Sequence, residues 1–159
     1  MSVQKSIERR TDSAVVLPVL TRPVSFAGLM TLYESNFIRL KWLLPELPPQ
    51  DASLVSRVPG DIPLFLTVVA VEKYTTTLTL TYYFKDGAEE IADPDLQLRL
   101  YHDAGLAEAM ACTDHHRHSI LQPFCTSSGS ELQRRWTRNM MLNKWLEYCA
   151  DKGHSFGDG

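Results

Sequence analysis

The densest group of residues able to hold or change a small molecule is an alternating run near the middle of the chain. Leu96-Gln97-Leu98-Arg99-Leu100-Tyr101-His102-Asp103 puts three leucines on one side and Gln97, Arg99, Tyr101 and Asp103 on the other, as a half-buried strand does. Ala104-Gly105 then supplies a tight turn, and Leu106 to Cys112 returns as the next strand. A two-residue turn sets Tyr101 opposite Glu108 and Arg99 opposite Met110, leaving Glu108 a diagonal neighbour of Arg99. Arginine, tyrosine and carboxylates on one sheet face can orient a small polar or anionic ligand, with Arg99 on an anionic group, Tyr101 stacking or donating, and Glu108 holding Arg99. They can equally form a salt-bridged solvent face. Proton transfer by His102 and Asp103 is the runner-up chemistry, but adjacent strand residues point to opposite faces.

Other reactive groups are weaker. His115-His116-Arg117-His118, beside Cys112 and Asp114, offers imidazoles, but metal ligands usually come from separated segments and Arg117 repels a cation. No metal and no cofactor is expected. Cys112, Cys125 and Cys149 form no C-x-x-C pair, and an odd set of distant thiols suits a reducing compartment. Arg134, Arg135 and Arg138 load the start of a helix, where they could meet phosphate or RNA, although charge runs on such helices are usually solvated faces. The chain carries no phosphate-cradling glycine loop, no G-x-S-x-G, no H-E-x-x-H and no dinucleotide fingerprint. No motif names a reaction, and the balance leans against an enzyme.

The elements that must position these residues follow from periodicity. Phe26, Met30, Tyr33, Phe37, Leu40 and Leu44 make a helical stripe that Ser25 caps and Pro45 stops. Residues 45–61 are rich in proline, glycine and serine and read as a surface connection anchored by Leu54 and Val55. Leu64 to Val71 and Thr75 to Phe84 read as strands joined through Glu72, Lys73 and Tyr74, with residues 89–94 a loop. Leu106 to Cys112 also contains good helix formers, and the strand is preferred there. A second helix runs from Glu131, capped by Ser130, with Leu132, Trp136, Met140, Leu142, Trp145, Leu146 and Cys149 as its stripe.

The expected architecture is therefore α+β: a four-stranded antiparallel meander with an N-terminal and a C-terminal helix on one face. Residues 1–22 read as a flexible arm, 23–153 as one domain and 154–159 as a frayed tail. The chain has 159 residues, enough for one self-sufficient core, and a net charge of -3, which disfavours coating nucleic acid. No run reaches the roughly 18 apolar residues of a membrane span.

Four stretches carry a family resemblance: Glu34-Ser35-Asn36-Phe37, Tyr74-Thr75-Thr76, Arg99-Leu100-Tyr101-His102-Asp103-Ala104 with Ala107-Glu108, and Trp145-Leu146-Glu147-Tyr148-Cys149, with Asn139 six residues before the tryptophan. With these the chain resembles the YqiB-like family of proteobacterial proteins, a domain of unknown function (number 1249), over roughly residues 25–153. Residues 113–131 depart from that family's pattern. The resemblance implies a bacterial cytosolic protein and brings no catalytic residue, cofactor or partner. It draws attention to Glu34, Asn36, Tyr74, Arg99, Tyr101, His102, Asp103 and Glu108, polar residues that packing alone does not demand. The reading is a non-enzymatic binding or regulatory module for a small polar ligand or a protein partner, contacted at the Arg99–Tyr101–Glu108 face.

Overall fold

The computed structural model describes residues 25–111 and 130–157. The expected arm, the histidine cluster, Cys112 and Cys125 lie outside these residues. Helix α1 is Phe26–Leu43, opened by Ser25, whose hydroxyl accepts the Gly28 N–H at 3.0 Å. Helix α2 is Glu131–Asp151, opened by a capping box in which Ser130 and Gln133 each accept the other's backbone N–H. The two helices touch closely at Gly28, where a Cβ would stand 3.0 Å from the Trp136 ring.

Five strands, β1 (Ser53–Ser56), β2 (Leu64–Val71), β3 (Thr75–Asp86), β4 (Glu89–Tyr101) and β5 (Leu106–Ala111), form an antiparallel meander in that order. Alternation places Leu66, Leu80 and Leu96 in one cross-strand row and Val68, Leu78, Leu98 and Ala109 in the next. These residues are buried in one core with Leu40, Leu43 and Leu44 of α1 and Met141, Leu142, Trp145, Leu146 and Cys149 of α2. Both helices thus cover the leucine face. A second cluster, Leu29, Leu32, Tyr33, Trp136 and Met140, fills the space between the helices and packs on Leu106 of β5.

The α+β class and the strand-helix order are as expected; three details differ. The sheet has five strands, not four, because β1 lies inside the segment expected to be a surface connection. Four residues among prolines show no period of their own, and pairing of Ser53–Ser56 with Leu64–Thr67 supplies the order. β4 begins at Glu89 instead of Leu96. Its first half is acidic and contains Pro94, yet Asp86↔Glu89 to Tyr83↔Ala92 pair in sequence, and Pro94 falls where the register shifts, at a bulge that spares it a ladder bond. The third difference is the register of β4 on β5: Arg99 faces Glu108, and Tyr101 faces Leu106. His102 and Asp103 belong to the turn, which closes through Gly105 N–H to Tyr101 O at 2.9 Å, with Gly105 at φ +65°.

Residues 154–157 also differ from the frayed tail expected there. His154 is buried, and the Phe156 N–H donates to Leu43 O at 2.7 Å. No helix among the described residues is long and apolar enough to cross a membrane.

Candidate functional site

Polar residues gather where the two helices lean over the β5 edge. An edge strand leaves backbone groups unpaired, and α2 occupies them here. The Ala109 N–H donates to Asn139 Oδ1 at 2.7 Å, and Arg138 Nε donates to Ala109 O at 2.9 Å. This fixes Arg138 beside the outer residues of β5. Glu108 projects from the same strand, and the Tyr101 hydroxyl donates to its Oε1 at 2.5 Å. Burial, then this bond to Glu108, raises the Tyr101 phenol, while neighbouring Arg99 pulls it the other way.

Tyr33 enters the cluster from α1. Burial pushes its phenol up to about 12, the Glu108 charge and the hydroxyl's approach to that carboxylate add to the shift, and Arg135 and Arg138 oppose it. The residue is 5% exposed, and its hydroxyl has no hydrogen-bond partner of normal geometry. Glu108 thus stands by Tyr33 and Tyr101 and across the strands from Arg99, while Arg135 and Arg138 lie near Tyr33. Because the folded phenol keeps its proton to higher pH than an unfolded one, stability falls as pH rises from about 10, the ordinary tyrosine value, through 12. Melting curves across that range should show a shallower alkaline loss in Tyr33→Phe than in the parent chain.

The expected site residues divide. Arg99, Tyr101 and Glu108 do converge, but Glu108 holds Tyr101 instead of Arg99. Arg135 and Arg138 of the basic helix start join them. Arg134 and Arg135 bind Glu131 at 3.0 and 3.1 Å, keeping that carboxyl below its usual range. His102 Nε2 contacts Thr76 Oγ1 at 2.8 Å and its N–H donates to Tyr74 O, so it fastens the β4–β5 turn to the β2–β3 turn. Asp103 and Tyr74 are exposed, the latter under Lys73 Nζ at 5.1 Å.

Two polar networks escape the sequence reading. Between the helices, fully buried Arg39 donates to Ser35 Oγ at 2.5 Å and Glu147 Oε2 at 3.1 Å. Asn143 donates to Ser35 and Asn36, each at 3.1 Å, and Asn36 reaches Asn139 at 3.4 Å, which leads to the β5 edge. The second network joins β1 to the chain end. His154 contacts Ser56 Oγ at 2.9 Å and Asp61 Oδ2 at 3.0 Å, and Tyr82 donates to Asp61 Oδ1. Serine, histidine and aspartate in series suggest acyl transfer, but Ser56 is 4% exposed and its oxygen accepts the Ser155 N–H at 3.1 Å. A nucleophile must reach its substrate; this serine fastens the tail.

A groove of about 650 Å³ runs between the end of α1 and residues 155–157, lined by Trp42, Pro45, Leu47, Pro48, Leu54 and Phe156 among others. Glu46 is the one charged residue of that lining. Among the described residues no group of His, Cys, Asp or Glu could hold a metal ion.

In class, this is a two-layer α+β domain with a basic, tyrosine-bearing cluster at one sheet edge. The chain belongs to the family described as "Protein of unknown function (DUF1249)", which it matches over residues 39–155. It is similar to the "Uncharacterized protein YqiB" of Escherichia coli (strain K12), 30% identical over 131 residues that cover 80% of this chain and 90% of the relative. The proteins of the same name in two other E. coli strains match to the same extent. No solved structure matches.

Proposed function

We propose that the protein is a non-enzymatic binding or regulatory module of the cytoplasm, and that the cluster around Glu108 is its contact site for a small polar or anionic ligand or a protein partner. The observation that carries this reading is Tyr33. A phenol that is 5% exposed, with only the Glu108 carboxylate beside its hydroxyl and outside normal hydrogen-bond geometry, forfeits part of a hydrogen bond whose full loss costs about 1–3 kcal/mol. A site held ready for a ligand gives that deficit a use. Arg99 adds to it, since none of the ion pairs among the described residues involves its guanidinium. The alternative of proton transfer by His102 and Asp103 gains no support, because His102 is engaged by Thr76 and Asp103 lies exposed in the turn. RNA or phosphate contact by the helix start alone is weakened by Glu131, which engages Arg134 and Arg135.

A thermal-shift screen against amino acids, nucleotides, phosphorylated metabolites and carboxylates tests the reading. A ligand at a hundred times its dissociation constant stabilises by about 2.7 kcal/mol, several degrees for a domain of this size. Hits should vanish in Arg99→Ala while the unliganded melting temperature changes little. A large fall in that temperature, with hits retained, would make the face structural.

A further inference from the structure

The groove between α1 and residues 155–157 takes Leu54 of β1 into its lining, so it lies at the sheet edge opposite β5 and Glu108. Its volume of about 650 Å³ falls within the roughly 300–1,000 Å³ of small-molecule sites. One wall is residues 45–49, three of which are prolines that offer a carbonyl but no N–H. The other is residues 155–157, whose N–H groups are already spent. Ser155 donates to Ser56 Oγ at 3.1 Å, Phe156 to Leu43 O at 2.7 Å and Gly157 to Ser155 Oγ at 3.1 Å. The walls meet where Gly157 lies against Pro45, a Cβ there standing 3.0 Å from the proline ring. Both walls are thus rich in acceptors and poor in free backbone donors.

Charge points the same way. Glu46 is exposed, is the one charged residue of the lining and enters no ion pair among the described residues. Arg39, whose guanidinium stands 5.6 Å from the Trp42 ring, is paired with Glu147. Trp42 and Phe156 give the groove aromatic surface, which attracts cations, and Leu54 gives it an apolar floor. An anion here would meet a carboxylate and carbonyls with nothing to donate; an ammonium or guanidinium group donates to both. We infer that this groove binds a small organic cation, an amine or guanidine on an apolar body, with Glu46 as its counter-ion. The site is separate from the Glu108 cluster and stands without the reading of that cluster.

NMR titration of the isotope-labelled full chain with phenethylamine, phenylethanol and phenylacetate, which share a ring and differ in charge, tests the inference. Saturable shifts at the Trp42 indole N–H and at the Leu47 and Phe156 amides are expected with phenethylamine. Its binding should be about fivefold tighter than that of phenylethanol, the upper value of a solvent-accessible ion pair, and phenylacetate should not bind. Glu46→Gln should bring phenethylamine down to the affinity of phenylethanol and leave phenylethanol unchanged; an exposed position makes this substitution mild for the fold. Glu46→Lys should reverse the preference and admit phenylacetate. Equal affinity for the three probes, phenethylamine binding indifferent to Glu46→Gln, shifts confined to other parts of the chain, or no saturable binding overturns the inference. A capped arginine tripeptide that binds more tightly than phenethylamine would also overturn it, by placing the cation on a polypeptide.

Discussion

Replacing Glu147 with alanine should lower the melting temperature by on the order of 10 °C or more. Arg39 is 0% exposed, and Glu147 is the carboxylate that meets its guanidinium between the helices. Burial itself pulls the Arg39 guanidinium down, with Glu147 the main group opposing it. Deleting one partner of a buried pair typically costs about 3–5 kcal/mol, whereas exchanging both for well-packed apolar residues is often nearly neutral. Arg39→Met with Glu147→Leu should therefore recover most of what Glu147→Ala loses. Thermal melts of the three variants check this. A single substitution as mild as the double one would mean the seam between the helices adds little to stability.

The second large effect should come from Asp61→Ala. This carboxylate accepts from buried Tyr82 and His154, and through His154 it ties β1 and the chain end together. Two donors left in the core cost about 1–3 kcal/mol each, and the Tyr82 phenol, raised mainly by burial and then by its bond to Asp61, loses its acceptor. Asp61→Asn keeps one acceptor oxygen and should cost about half as much. Denaturant melts give the ordering. Loss of hydrogen-exchange protection at residues 154–156 before the rest of the domain would locate the damage at the tail.

Much of this fold was legible because burial and period coincide. The α1 stripe, the alternation of β3 and the leucines of β4 each report a buried face, and the structure buries them apart from Phe26, which is exposed, and Met30 and Phe37, which are partly buried. What period does not report was missed. β1 and the first half of β4 are ordered by pairing with strands already set, so their own residues carry no amphipathic signal. The Arg99–Glu108 register turned on two residues, because His102 bonds Thr76 and is drawn into the turn. Arg99, Tyr101 and Glu108 were visible as a polar strand face. Tyr33 was not, because it sits on an apolar stripe where a phenol reads as core. The interhelical seam did leave a trace: Ser35, Asn36 and Arg39 on α1, and Asn139, Asn143 and Glu147 on α2, recur at helical spacing beside the apolar stripes. Several of these residues fall within the stretches of family resemblance, which pointed at the seam and the Glu108 cluster alike.

The account turns on a buried hydroxyl that the fold satisfies incompletely. The melting temperature of Tyr33→Phe at neutral pH tests this most directly, since the substitution removes that oxygen alone. If the hydroxyl awaits a ligand, its loss relieves an unmet hydrogen bond, and the variant should melt at or above the parent temperature. A fall of several degrees would mean the hydroxyl is already bonded within the fold, and would contradict the reading of this cluster as a prepared site.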